Sequence, residues 1–341
     1  MTTLKDIARA CGVAPITVSD ILNNKPGAAS AQTRERVLRV AREMDYRPNT
    51  VARGLRQGRM NTVGVLLRYS GVPAISNPVA MMLLDSILAV NTRRSQSTTL
   101  VTVEDWPSES GLLQHSALSA CDGILLAVPP DCDALKSLLD RRRLPFVSIG
   151  CTSKNEDVAY VDVDNEIAVK AAVDFLADRG HRKIAFVSEP SLQYRFVQER
   201  LDGFRLALKQ RGLPNDPAWE LIGADCFTPL ASLFRRPLSE RPTALFSATD
   251  FCAVTALTVL SGECGLKVPD DVSLMGYDDI AMTATLRPAL STVHQPFTEI
   301  GEAAAELLLD LIAGKPAPKR HILLPTTVVE RQSVAAPPRM P

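Results

Sequence analysis

The chain has 341 residues, enough for a small domain and a large one. Its 38 Lys and Arg balance 38 Asp and Glu, which excludes a uniformly basic or acidic protein, but the charge is segregated. Residues 1–60 carry eleven bases against five acids, a net +6, which leaves −6 for the remainder.

A basic head on an acidic body suits a protein that presents only one end to phosphate. The first helix follows directly on the start, with no leader-like stretch, and no apolar run reaches about eighteen residues. A cytoplasmic protein with no membrane partner is therefore expected. The seven cysteines are scattered without a CxxC and read as small buried hydrophobes or incidental thiols in a reducing compartment. The four histidines lie far apart in sequence, with no metal-ligand spacing, so neither a metal nor a cofactor is expected.

The stretch Leu4 to Asn23, LKDIARACGVAPITVSDILN, reads as two short helices and a tight turn. Leu4, Ile7 and Ala8 form one apolar helical face. Thr3 suits the cap, with Asp6 near the positive helix end. Gly12 falls at the turn, where Gly tolerates φ > 0, and Pro15 suits the first position of the next helix. Val18, Ile21 and Leu22 then point back at the first helix, which leaves Thr17, Ser19 and Asp20 outside. A second helix with its polar face free of the core suits insertion into a major groove.

NNKPGAA is a loop by composition. Ser30 suits the cap of a third helix from Ala31 to about Asp45. Val37, Val40, Ala41 and Met44 lie on one side of it, and Arg34, Arg36, Arg39 and Arg42 on the other. The segment Asn49–Gln57, between Pro48 and Gly58, reads as a linker too short to be a stable helix alone, and Gly54 costs it roughly 1 kcal/mol relative to Ala.

From Thr62 the pattern changes. TVGVLL, TLVTV, GILLAV, PFVSIG, KIAFVS, TALFSA and VSLMGY are short apolar runs separated by stretches of helical length. Such runs read as parallel strands buried on both faces, and their number gives two doubly wound subdomains in tandem. Ligands bind beyond the carboxyl ends of such strands, so facing ends enclose a cleft. Asp250 follows TALFSAT, Asp278 follows VSLMGY, Arg200 lies just inside the helix after KIAFVSEP, and Arg68 and Tyr69 follow TVGVLL. Asp and Arg grip vicinal hydroxyls or a purine edge through paired hydrogen bonds.

LKDIARACGVAPITVSDILN, TRERV and YRPNTVARGLR, in this order and spacing, resemble the LacI/GalR family of bacterial transcription regulators. The resemblance implies an all-α helix-turn-helix DNA-binding domain plus an α/β body of two doubly wound subdomains, like a type-I periplasmic binding protein. The expected domains are 1–48, a hinge helix and linker at 49–60, and an effector-binding and dimerisation domain at 61–341. The resemblance also implies a homodimer on a near-palindromic operator, acting as a repressor by family habit with an activator as the alternative, and a small-molecule effector. The effector expected is a sugar or sugar derivative, with a nucleobase second. Thr3, Leu4, Pro15, Ile16, Thr17, Ser19, Asp20, Asn23 and Asn49 are the implied DNA contacts. In the paired hinge helices Leu55 would wedge into the minor groove, Ala52 would face the partner, and Arg53 and Arg56 would meet phosphates. Arg200 and Asp278 match effector contacts, Asp250 matches a cleft aspartate, and Tyr194, Phe196 and Phe227 match apolar walls by looser alignment.

Three positions depart from the family pattern. Ala14 stands where a small polar cap is usual. Asp20 stands at a base-reading position where relatives carry a donor; a carboxylate accepts from cytosine N4 but repels phosphate. Gly150 stands where some relatives carry an effector-binding Asp. GHRKI at 180–184 reads as a helix stop before a strand. An enzyme joined to a DNA-binding head would need a P-loop, GxSxG or HExxH, none of which occurs. A stand-alone solute-binding protein would need an export signal in place of the basic head. The ending AAPPRMP lacks leucine heptads, so a dimer rather than a tetramer is expected.

Overall fold

The computed structural model describes residues 2–46, 59–68, 77–103, 116–189, 192–316 and 319–339. The chain divides into two compact units, Met1–Met60 and Asn61–Pro341.

The first unit holds α1 (Leu4–Cys11), α2 (Pro15–Leu22) and α3 (Ala31–Glu43). Its local chemistry follows the sequence closely. The Thr3 hydroxyl accepts from the Asp6 N–H, and the Asp6 carboxylate accepts from the Thr3 N–H at 2.9 Å, a reciprocal cap. Those bonds to Thr3 hold the Asp6 carboxyl below its usual range. Gly12 ends α1 at φ 62, and a Cβ there would meet no atom within 4 Å, so backbone conformation rather than space calls for glycine. Pro15 opens α2 behind an Ala14 that offers no side-chain cap. Ser30 caps α3 through the Thr33 N–H. Ile7, Ala8, Cys11, Val18, Ile21, Val37 and Ala41 are buried together, with Val40 and Met44 packed on their margin. The third helix stops at Glu43, short of Asp45, which turns the chain at φ 43.

In the second unit all seven apolar runs are strands: β1 (Thr62–Arg68), β2 (Ser97–Val103), β3 (Gly123–Ala127), β4 (Phe146–Ile149), β6 (Ile184–Ser188), β8 (Ala244–Ser247) and β9 (Ser273–Met275). Five more complete the count among the described residues: β5 (Tyr160–Val163), β7 (Glu220–Ile222), β10 (Thr292–His294), β11 (His321–Leu324) and β12 (Thr327–Val329). The helices are α4 (Pro78–Arg93), α5 (Cys132–Arg141), α6 (Asn165–Asp178), α7 (Arg195–Gln210), α8 (Phe227–Phe234), α9 (Asp250–Thr258) and α10 (Phe297–Ile312).

One half of the body is a parallel sheet in the order β11-β5-β4-β3-β1-β2, the other a parallel sheet in the order β7-β6-β8-β9. β10 and β12 pair antiparallel beside the second sheet. The chain passes between the halves after β5, where α6 packs on α7, and again after β10, where α10 packs on α4 and the first sheet. It returns to the first sheet as β11 and leaves it for β12. Each strand order reverses once, at β1/β3 and at β6/β8, and the carboxyl ends at those reversals are the ligand positions of such sheets. His181, the histidine of GHRKI, is buried between the Thr243 and Ser273 hydroxyls and the Ala335 carbonyl, where it fastens the C-terminal segment to the second sheet.

Candidate DNA-binding head and effector cleft

On the head, α2 turns a set of side chains away from the core. Ile16 is 65% exposed, Pro15 and Asn23 are exposed, and Thr17, Ser19 and Asp20 are half-buried at the edge of the same face. Asn23 donates its amide to the Ser19 carbonyl at 2.8 Å. Asp20 lies 3.6 Å from the Lys25 ammonium, so a cation stands beside its charge. Thr3 is exposed and Leu4 half-buried at the start of α1. Asn49, Ala52, Arg53 and Leu55, and with them the whole 49–57 segment, lie outside the described residues.

In the body, Arg200 and Asp278 come together. The Arg200 guanidinium lies 3.6 Å from the Asp278 carboxylate, with both side chains buried. Arg200 donates its Nε–H to the Asn165 amide oxygen at 2.9 Å and an Nη–H to the Ala248 carbonyl at the end of β8. Its guanidinium sits 3.8 Å from the centre of the Tyr277 ring and 4.8 Å from that of Phe196. The Tyr277 hydroxyl donates to the same Asn165 oxygen at 3.1 Å, and Gln295 donates to Asp278 at 2.8 Å. Asp278 holds φ 129, a strained value for a residue with a side chain, fixed by its N–H to the Val293 carbonyl. Burial pushes its carboxyl up to about 7, with Arg200 pulling the other way.

The remaining expected residues divide. Tyr194 and Phe196 pack ring on ring, 5.8 Å between centres, where α7 begins. Phe227 opens α8 after β7 and is half-buried against the core behind the second sheet. Asp250 is fully buried; one oxygen accepts from the Thr292 hydroxyl at 2.6 Å and the other from the Ile280 N–H at 2.9 Å. Those bonds make it the anchor of the 276–280 segment, and a Cβ on Gly276 would come within 2.2 Å of it. Arg68 ends β1 beside the β1/β3 reversal. Tyr69 lies outside the described residues. Gly150 follows β4 at φ 71, a turn that an aspartate would strain.

Several residues at this site escaped the sequence reading. Glu199, beside Arg200, accepts from Thr152 and, at 2.8 Å, from the Asn165 amide, so it joins the two halves. Asp162 sits near the carboxyl end of β5. It is 4% exposed, and one of its oxygens has no hydrogen-bond partner. Burial pushes its carboxyl up to about 7; Glu199 adds to that and Arg200 opposes it. A buried polar atom without a partner costs about 1–3 kcal/mol until something meets it. The sequence signal was VDVDN, in which Asp162 and Asn165 flank a helix cap, Asp164.

Comparison with known proteins agrees with both parts. Residues 3–49 match the bacterial regulatory proteins of the lacI family, and residues 173–334 match the periplasmic binding protein-like domain. The chain is 31% identical over 338 residues to the HTH-type transcriptional repressor PurR of Vibrio parahaemolyticus, covering 98% of this chain and 99% of that one. A transcriptional regulator CelR–cellobiose complex superposes with a TM-score of 0.72 at 29% identity, covering 98% of this chain and all of the other. The lac repressor dimer bound to operator and the anti-inducer ONPF gives a TM-score of 0.84, with 98% and 99% covered; at 24% identity it bears on the fold alone. With a relative matched along almost its whole length, and a helix-turn-helix head on a two-sheet body, the chain belongs to the LacI/GalR family of bacterial transcription regulators.

Proposed function

We propose that this regulator is a repressor that binds a near-palindromic operator as a homodimer and whose hold on DNA is set by a small molecule in the body. The observation that carries this reading is the head: a helix-turn-helix whose second helix keeps Ile16 and its polar neighbours out of the core, in a segment of net charge +6. The division into a head of 1–48, a hinge of 49–60 and a body of 61–341 belongs to the same proposal. So does the cytoplasm as its place of action, since the operator is chromosomal. No catalytic activity is assigned, as the relatives are regulators.

Dimerisation through the body is supported by apolar side chains left in solvent. Leu88 on α4 and Leu100 on the edge strand β2 are 40% and 47% exposed. Phe251 on α9 and Met282 are 55% and 41% exposed, and the Asp250–Ile280 bond makes their segments neighbours.

For the effector, Arg200 and Asp278 are the proposed polar grip, with Asp162 supplying a group the protein itself leaves unmet. Vicinal hydroxyls fit such paired donors and acceptors, and cellobiose is the ligand named for one similar regulator. A sugar is therefore the first reading. A nucleobase is the second, favoured by the rings of Tyr194 and Phe196 beside the grip. The test is selection of bound duplexes from a randomised library, followed by a thermal-shift screen of sugars and purine bases. A two-fold-symmetric enriched site and a ligand-induced rise in Tm are expected. A library returned without enrichment would overturn the DNA reading, and a ligand whose effect survives Arg200→Ala would remove Arg200 from the site.

A further inference from the structure

The sequence marks Cys132 and Cys151 only as small buried hydrophobes or incidental thiols, and the fold, which buries both, sets them against each other. Cys132 is the first residue of α5, and Cys151 follows the end of β4. Their sulfurs are 3.1 Å apart, only about 1 Å beyond a disulfide bond. The Cys132 N–H points at the Cys151 sulfur at 3.4 Å, and the Cys132 thiol faces the Cys151 and Thr152 carbonyls at 3.4 and 3.5 Å. Both residues are fully buried.

The two thiols differ in kind. The Cys132 thiol and backbone N–H hold Cys151 below its ordinary range, with Arg195 adding to this and burial opposing it, while the same contact and burial push Cys132 up. The backbone N–H that Cys151 accepts from Cys132 favours a thiolate at Cys151, and the adjacent Cys132 thiol is placed to resolve. The segment after Cys151 carries contacts across the body: Thr152 donates to Glu199 of α7, and Ser153 to Asp133, which in turn lies 3.7 Å from Arg195 of α7.

We propose that Cys132 and Cys151 form a dithiol modification site that a hydroperoxide converts to a disulfide, fixing the 151–153 segment where the two halves of the body touch. The Cys151 thiolate attacks one peroxide oxygen, the O–O bond breaks, and the alkoxide leaves and takes up a proton as alcohol. The Cys132 sulfur then displaces hydroxide from the resulting sulfenic acid, and that hydroxide leaves as water with the second thiol proton. Two thiols lose two electrons and the peroxide gains them. Because both sulfurs are buried, the peroxide reaches them only when the surrounding structure opens. The bond itself does not depend on the proposed effector reading; only its consequence for the cleft does.

The test uses the full chain, treated with hydrogen peroxide or with dithiothreitol, alkylated under denaturing conditions and digested with trypsin. The expected product is residues 95–136 joined to residues 144–154, lighter than the reduced pair by two hydrogen atoms and lost on reduction. The joined peptide should vanish in both Cys132→Ser and Cys151→Ser and persist in Cys121→Ser, which shares the first peptide. A second buried thiol pair, Cys226 and Cys252, maps to other peptides and serves as an internal comparison. The proposal is overturned if peroxide that oxidises the partly exposed Cys264 leaves Cys132 and Cys151 both alkylatable. It is also overturned if they appear only as separate sulfinic acids, or if the joined peptide survives Cys132→Ser. The wild-type map alone decides the matter should either serine variant fail to fold.

Discussion

Asp278 was legible because it follows a strand run, and Arg200 because it lies in the helix after one; the fold brings them within 3.6 Å. What the sequence hid was how much of their neighbourhood is occupied. Both oxygens of Asp250 are taken by the protein, so Asp250→Asn should lower stability and only secondarily alter ligand binding. Asp162 was missed because an aspartate inside an apolar run breaks the pattern that marks a buried strand. Its carboxyl is raised to about 7 from an unfolded value of 3.8. The folded state therefore binds the extra proton between those values. Its contribution is fully present below pH 3.8 and is lost as pH rises through 7. Asp162→Asn should flatten the fall in Tm between pH 4 and pH 7, and an unchanged pH profile would count against a buried acid there. Arg200→Ala should leave operator affinity intact and reduce the effect of effector on it at least about tenfold, the worth of roughly 1.4 kcal/mol.

At the level of elements, caps and apolar spacing gave α1, α2 and α3, and continuous apolar runs gave seven strands. The missed strands have physical reasons. Among them, β7, β10 and β12 are three residues long, too short for a period to show, β11 is only four, and β5 carries an acid. Two substitutions test element chemistry. Ala14 has the extended backbone of a helix cap but no side chain to serve it, so Ala14→Ser should stabilise the head by about 1 kcal/mol in thermal melts. Gly301 sits inside α10, where propensity alone favours alanine by roughly 1 kcal/mol. Here a Cβ would lie 1.9 Å from the Ser86 hydroxyl and 3.0 Å from the Leu83 carbonyl of α4. Ser86 is buried and bonded to that carbonyl, so it cannot simply turn away. Overpacking of this kind costs about 1–3 kcal/mol, and Gly301→Ala should lower Tm despite the better helix former.

For the whole molecule, the charge segregation and the change from helical to strand periodicity near Thr62 foretold a head and a body, and the compact units part at Met60. The hinge of 49–57 rests on resemblance, and Leu55→Ala should abolish tight operator binding while sparing dimerisation and ligand affinity. Asp20→Asn should change base preference at one or two positions of each half-site without loss of non-specific affinity, because Lys25 already tempers the charge. The central claim is that a basic head binds DNA under the control of a ligand held in the body. It is tested most directly by measuring operator affinity against salt for the full chain and for residues 61–341, each with and without a screened effector. The account predicts steep loss of affinity with salt and a clear effector response for the full chain, and no specific binding by the truncated body, which still takes up the ligand. Specific operator binding by residues 61–341, or a full chain whose affinity ignores a bound ligand, would contradict it.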